Sequence, residues 1–376
     1  MKKALFILLV LCLSFSVFAQ GAQEAQSATT ESAYSIAMIT DSGDITDQSF
    51  NQSTYEACRD YAAAQGLKFQ YYKPTGDSNE ARIASIEKAI DDGFNVIVMP
   101  GYLFGSAIAT TAPQYPDIKF VALDVSEGDV GGAISNVYCM VYQEEIAGYL
   151  AGYATVALGY TNLGFCGGMA VPAVIRYGYG FVQGAEAAAA KLGKTGTIQY
   201  TYANQFFGDA DVTAAMDTMY ANGAEVVFAC GGGVYTSVAE AAAKVGKKLV
   251  GVDVDQQPII DGAYGAGITL TSAMKGLYAS TQAALKTIVE DNAWDTVAGT
   301  FATLGLVSGT DMDANFVGIP TGDGTQWSDS FTFEDYKAVV NDIYTGKIAV
   351  KNDTSESVAP ADNASVLTVK DLGNIK

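Results

Sequence analysis

Histidine is absent from all 376 residues, and with it go the commonest general base and the commonest transition-metal ligand. A Ser-His-Asp hydrolase or a His-ligated zinc enzyme is therefore impossible. Basic residues are also scarce. Against 41 Asp plus Glu there are 21 Lys plus Arg, a formal charge of −20, which disfavours nucleic acid and anionic membrane as partners. Cysteine is thinly spread: beyond the first 19 residues it occurs at Cys58, Cys139, Cys166 and Cys230, with no C-x-x-C pair. That spacing suits neither a zinc site nor a disulfide framework, and the apolar context of each thiol suits a small buried hydrophobe. Long apolar runs are missing too. Past the amino-terminal segment nothing approaches the roughly 18 uninterrupted apolar residues of a membrane helix, so no membrane insertion is expected once that segment is removed.

The segment itself has the form of an export signal. Lys2 and Lys3 precede an apolar stretch from Ala4, and Val17-Phe18-Ala19 gives a small-x-small cleavage pattern, so residues 1–19 read as a signal peptide and the mature chain begins near Gln20. The expected location is secreted or periplasmic. Cys12 leaves open a lipid anchor to the membrane, although Leu11 before it is larger than the small residue lipidation favours. Residues 20–33 are small, polar and aperiodic, as in a flexible leader.

What the chain has in quantity is core: 49% hydrophobic residues, with 22 Tyr and 17 Phe against 2 Trp, and a length that suits two domains or lobes. From Tyr34 apolar runs alternate with helical periodicity. The first run, Ile36 to Ile39, ends at Asp41 and passes through Ser42 and Gly43 into a helix behind Phe50. Phe69 to Tyr72 reads as a second strand; a helix follows with Asp77 or Ser78 as N-cap and Gly93 as its stop. NVIVMPG and KFVALDV have the continuous apolar character of buried parallel strands, and GAISNVYCMVY supplies a fifth. After the helix QEEIAGYLAGYATVALG the same grammar repeats: NLGFCGG, a helix around Phe181 to Leu192, TIQYTYA, a helix from Asp211 to Asn222, EVVFACGGG, a helix from Ser237 to Val245, and KKLVGVDVDQ. FVALDV and LVGVDV both close a fourth strand on an aspartate, Asp124 and Asp253. The expected boundaries are residues 34–142 plus about 271–320 for lobe 1, and 143–270 plus the C-terminal segment for lobe 2. A helix and a closing strand are expected between Phe331 and Val350.

Two such βαβ series define an α/β protein of two lobes, each a parallel sheet flanked by helices. In a sheet of order 2-1-3-4, strands one, three and four end near the switch point, where ligands collect. That rule puts Asp41, Gly101 and Asp124 on one wall of an interlobe cleft, and Gly167, Gly231 to Gly233 and Asp253 on the other.

The stretches TDSGDITDQSFNQSTYE, EEIAGYLAGYATVALG, GFCGGMAVPAVIRYGYGFVQGAE, GVDVDQ and LTSAMK together resemble the basic membrane protein family of ABC-transporter substrate-binding lipoproteins, whose best-understood ligands are purine nucleosides. The resemblance spans nearly the whole mature chain. It implies a type I periplasmic-binding fold that closes a nucleoside between its lobes and delivers it to an ABC permease, with no cofactor and as a monomer. It casts Asp41 and Asp253 as acceptors for ribose hydroxyls, Phe50 and an aromatic of ANQFFGDAD, Phe207 in preference to Phe206, as stacking plates, and Asp124 as a carboxylate facing the base edge. Gly232 becomes a backbone contact to the sugar and Lys275 a sugar-contacting cation. Ser49-Phe50-Asn51 keeps the family's Ser-Phe-Asn pattern, with Asn51 a candidate base-reading amide, whereas Gln48 replaces a common lysine and the signal lacks the usual lipidation pattern.

Each of these positions has a structural alternative. Phe50 would serve as a helix staple, and the aspartates, Ser49 and Asn51 as caps and turns. Phe206 and Phe207 would serve as core, Lys275 as a solvated strand end, and Arg176 and Tyr177 as parts of a close helix packing. A nucleotide-dependent enzyme would show G-x-G-x-x-G or G-x-x-x-x-G-K-[ST], and neither occurs where a strand meets a helix. A binding protein for a sugar or another small metabolite, and a ligand sensor or surface protein without transport, share the same grammar.

Overall fold

Apolar runs become strands and amphipathic ones become helices over most of the chain. The computed structural model describes residues 33–358 and 366–376, so the signal peptide and all but Ala33 of the leader lie outside the described residues. The first series comprises β1 (Ser35–Ile39), α1 (Phe50–Gln65), β2 (Lys68–Tyr72), α2 (Asn79–Asp91), β3 (Val96–Pro100), α3 (Gly105–Thr111), β4 (Lys119–Leu123), α4 (Glu127–Val130) and β5 (Val137–Tyr142). The second comprises α5 (Glu144–Ala157), β6 (Asn162–Gly167), α6 (Pro172–Leu192), β7 (Gly196–Tyr202), α7 (Ala210–Ala221), β8 (Val226–Cys230), α8 (Tyr235–Val245), β9 (Lys248–Asp253), α9 (Gln257–Tyr264) and β10 (Thr269–Lys275). Then come α10 (Leu277–Val289), β11 (Thr300–Leu304), β12 (Val317–Gly318), α11 (Phe333–Tyr344) and β13 (Leu367–Asn374). Local signals set the helix ends: the Ser78 hydroxyl accepts from Ala81 N at the start of α2, and left-handed Gly66, Gly193 and Gly246 close α1, α6 and α8.

The strands form two sheets. The first has the order β11-β5-β4-β3-β1-β2 and is parallel throughout; the second, β12-β10-β9-β8-β6-β7-β13, is parallel except for the β10–β12 pair. Both contain the 2-1-3-4 order, as β2-β1-β3-β4 and β7-β6-β8-β9. VIVMP in β3 and VVFAC in β8 are buried along their whole length, as central strands covered on both faces must be.

Two boundaries differ from the sequence reading. The stretch of about 271–320 does not all return to the first lobe: β10 extends the second sheet beside β9, α10 packs on α1, β11 joins the first sheet beside β5, and β12 goes back to β10. LTSAMK ends in a lysine that looks like a strand edge in sequence, and only pairing to β9 reveals its sheet. The closing strand before Val350 is also absent, since residues 345–350 are turn and coil. The strand that closes the second sheet is β13, parallel to β7.

The four cysteines among the described residues are free and buried. Cys166 and Cys230 lie on adjacent strands, but Cys166 is level with Ala229 and Gly167 with Cys230. A one-residue offset turns the two side chains to opposite faces of the sheet, which keeps the thiols apart.

Helices α5 and α6 pack more closely than ordinary side chains permit. A Cβ at Gly148 or Gly152 would strike the carbonyls of Tyr177 or Phe181, and one at Gly180 or Gly184 those of Glu145 or Tyr149. This reciprocal contact draws the first turn of α5, where the chain enters the second lobe, against the amino-terminal half of α6.

Candidate functional site

The β1–α1 connection is built around three side chains. Asp47 caps α1: one of its carboxylate oxygens accepts from Ser49 N (2.9 Å) and Gln52 N (3.1 Å), the other from Asn51 N (2.9 Å) and Asn51 Nδ2 (3.0 Å). Asn51 Nδ2 also donates to Asp41 Oδ1 (2.9 Å), and Asn51 Oδ1 accepts from Asp41 N (3.2 Å). The Asn51 amide is thus spent largely on holding the loop, so the structural alternative describes most of its bonding. Asp41 also accepts from Gly43 N at 2.7 Å. Burial raises the pKa of Asp41, and raises that of Asp47 to about 6, against the lowering effect of these hydrogen bonds. Asp47 carries no ligand signal in sequence, and its capping role is visible only in the bonds it accepts from Ser49, Asn51 and Gln52.

The matching aspartates at the ends of β4 and β9 share an unusual backbone. Asp124 has φ +60° and Asp253 φ +66°, the left-handed region that few residues other than glycine occupy. At the end of β3, Gly101 has φ +127°, and a Cβ there would lie 3.0 Å from the Asp41 side chain. Backbone of this kind clusters at binding sites because the surrounding structure must hold it.

Lys275, at the end of β10, is buried rather than solvated. Its Nζ lies 2.6 Å from Asp124 Oδ2, 3.3 Å from Glu144 Oε1 and 3.7 Å from Asp253 Oδ1, and 4.6 Å from the centre of the Phe50 ring. Glu144 in turn accepts from Arg176 Nε at 2.6 Å. Asp253 accepts from Ser49 Oγ at 2.6 Å and from Tyr177 OH at 3.3 Å. Burial raises the Asp124 pKa to about 7, with Lys275 opposing that rise and Glu144 adding to it. Burial pushes Glu144 the same way, but Arg176 and Lys275 outweigh it and hold Glu144 below its ordinary value. Asp124 Oδ1 is buried and has no hydrogen-bond partner in the protein, a costly condition for a carboxylate oxygen unless a ligand supplies the donor.

These groups surround one cavity between the sheets. The first lobe contributes Asp41, Asp47, Phe50, Asn51, Gly101 and Asp124, with Tyr102 and Leu103. The second contributes Tyr177, Phe206, Cys230, Gly232, Asp253 and Lys275, with Val171 and Val174. Of the residues expected from sequence, the cavity brings together Asp41, Phe50, Asn51, Asp124, Gly232, Asp253 and Lys275. It leaves out Ser49, which is buried behind Asp253, and Phe207, which is 56% exposed. Phe206 lines the cavity instead: Gly233 N donates to its carbonyl at 2.9 Å, and its ring lies against Gly168 and Gly231. Sequence alone does not single out Glu144 or Asp47, and it accounts for Tyr177 and Arg176 chiefly as packing.

A two-lobed α/β chain with a cavity at the carboxyl ends of both sheets is a type I periplasmic-binding fold, a class of two-lobed ligand-binding architectures. Within that class the chain belongs to the Bmp family, described as ABC transporter substrate-binding protein PnrA-like, whose model matches residues 34–353. It is 29% identical over 234 residues to the ABC transporter nucleoside-binding protein BmpA of Lactococcus lactis, a match covering 59% of this chain and 64% of that protein. The alignment therefore spans less than two thirds of that relative. Basic membrane protein B of Borreliella afzelii is 26% identical over 321 residues, 82% of this chain and 87% of the relative. A solute-binding protein of an ABC transporter system from Aeropyrum pernix superposes with TM-score 0.64 at 20% identity, covering 85% of this chain and 88% of that one, which speaks to fold alone. The family is one of substrate-binding proteins rather than enzymes, and among the described residues no helix is long and apolar enough to cross a membrane.

Proposed function

We propose that this substrate-binding protein captures a nucleoside, in first place a purine nucleoside, in the interlobe cavity outside the cytoplasm and delivers it to an ABC permease. The observation that carries the reading is the pairing of two aromatic rings, Phe50 and Phe206, from opposite lobes with carboxylates that keep acceptor capacity, Asp124 Oδ1 above all. A nucleoside needs that combination. Its base offers two π faces, each worth roughly 1 to 3 kcal/mol in stacking, and its ribose and base edge offer O–H and N–H donors to charged acceptors at about 1.5 to 3 kcal/mol each. Such contributions reach the roughly −8 kcal/mol of micromolar binding after ordering costs.

Charge narrows the ligand further. Asp41, Asp47, Asp124 and Asp253 line the cavity with Lys275 as their cation, itself committed to Asp124. A phosphate would enter a field of its own sign, so the ligand is unphosphorylated. The nucleoside-binding relative in Lactococcus lactis agrees with the reading.

Titration calorimetry with inosine, guanosine, adenosine, cytidine, uridine, free ribose and inosine 5′-monophosphate tests it, with Asp253→Ala as control. Micromolar or tighter binding of at least one purine nucleoside is expected, with the monophosphate excluded and the control at least tenfold weaker. Binding of ribose with no nucleoside heat would replace the nucleoside by a sugar. Native mass spectrometry of protein purified without refolding gives the ligand's mass independently.

A further inference from the structure

Glu144 and Arg176 do not line the cavity, yet they form a chain of charge, partly exposed at Arg176 and buried at Glu144, that ends in it. Glu144 is fully buried in the first turn of α5, immediately after the chain leaves β5 for the second lobe. Its two oxygens are divided: Oε2 accepts from Arg176 Nε at 2.6 Å, and Oε1 lies 3.3 Å from Lys275 Nζ. The ammonium is consequently shared unevenly among three carboxylates. It donates to Asp124 at 2.6 Å and to Glu144 at 3.3 Å, and stops 3.7 Å from Asp253 Oδ1, beyond hydrogen-bond distance.

That uneven sharing has a consequence for the cavity. Asp253 Oδ2 is taken by Ser49 Oγ, whereas Oδ1 has only a 3.3 Å bond from Tyr177 OH. A lysine able to swing about 1 Å closer would cover that oxygen with a charge-assisted bond, whose usual length is about 2.7 to 2.9 Å. The pull that opposes the swing comes from Asp124 and Glu144 together, and Arg176 together with the close α5–α6 contact fixes Glu144 in place.

We infer that Glu144, held by Arg176, is a positioning residue that keeps the Lys275 ammonium on Asp124 and off Asp253, so that Asp253 retains an oxygen for a ligand hydroxyl. The inference rests on the nucleoside reading only for the identity of that hydroxyl. Glu144-Glu145 belongs to the stretch EEIAGYLAGYATVALG, to which the binding site otherwise assigns no task.

The test uses Glu144→Gln and the double variant Glu144→Gln/Arg176→Gln in the mature protein. Glu144→Gln alone leaves the partly buried Arg176 charge without its partner and is the one that risks not folding; the double variant removes both charges and avoids that penalty. Two measurements are made. In a crystal structure of the double variant, Lys275 Nζ is expected to close to hydrogen-bond distance of Asp253. Calorimetry with inosine and 2′,3′-dideoxyinosine is expected to show inosine weakened about tenfold or more, the scale of one charge-assisted hydrogen bond. The dideoxy analogue, which brings no diol, changes by less than about threefold. Equal weakening of both ligands would mean that Glu144 only supports the fold, and a Lys275 that stays off Asp253 in the double variant would overturn the inference. If the wild-type protein binds neither compound, the nucleoside reading fails by itself, and the position of Lys275 in the crystal structure still decides the role of Glu144.

Discussion

Phe206 and Phe207 are adjacent in sequence and opposite in environment: one ring lines the cavity and the other is more than half exposed. The distinction comes from the β7–α7 connection, where Gly233 N holds the Phe206 carbonyl and Phe207 forms a bridge to Gly233. Phe206→Ala is expected to weaken purine nucleoside binding by about tenfold or more, as loss of one stacking face should, and Phe207→Ala to leave it within about twofold. Calorimetry on the two variants checks this; the reverse order would return the stacking role to Phe207. Asn51 shows a similar limit. Its place in Ser-Phe-Asn marks it for the site, but only the bonds to Asp41 and Asp47 reveal that its amide is already engaged.

Among the elements, the α5–α6 pair matters most to the site, because it places Glu144 against Arg176 and Tyr177 beside Asp253. The pair depends on backbone-to-backbone approach at its glycines, where a side chain has nowhere to go. Gly148→Val is expected to cost about 3 kcal/mol or more, at or above the upper range for overpacking, since the obstacle is the Tyr177 carbonyl rather than a flexible side chain. Urea unfolding measures it. Gly159→Ala gives a contrast: no atom obstructs a Cβ there, and the cost is limited to its φ of +114°, about 1 to 2 kcal/mol. Equal losses in the two variants would refute the account of the helix pair.

Stability of the whole molecule should depend on pH in an unusual direction. Burial raises Asp47 to about 6, and Asp124 and Glu145 to about 7, whereas in the unfolded chain such groups titrate near 4. Between those values the folded protein holds more protons than the unfolded one, so stability falls as pH rises through that window. The lowered pKa of Glu144 acts in the opposite sense, but only in more acidic solution, as its charge is lost. The growing negative charge of an already acidic chain pushes the same way as the buried carboxyls. The melting temperature of the ligand-free mature protein is expected to be higher at pH 5.5 than at pH 7.5, by at least about 2 °C, and Asp124→Asn should flatten the slope. A melting temperature that rises across this interval would show that these carboxyls stay ionised.

The sequence by itself determined the two βαβ series, the 2-1-3-4 strand order in each, and the strand-end aspartates, because continuous apolar runs must be covered on both faces and their ends must meet at a common edge. It also marked aromatic and carboxylate residues at those ends, most of which the fold brings to one cavity. What only the tertiary structure decided is which lobe each late strand joins, which of two neighbouring phenylalanines faces the cavity, and how one lysine is divided among three carboxylates. Those outcomes depend on pairing between residues distant in the chain, more than a hundred positions apart for Lys275 with Asp124 and Glu144. At a buried site, differences of a few tenths of an ångström separate a hydrogen bond from a bare contact, and no local pattern in the chain records such distances.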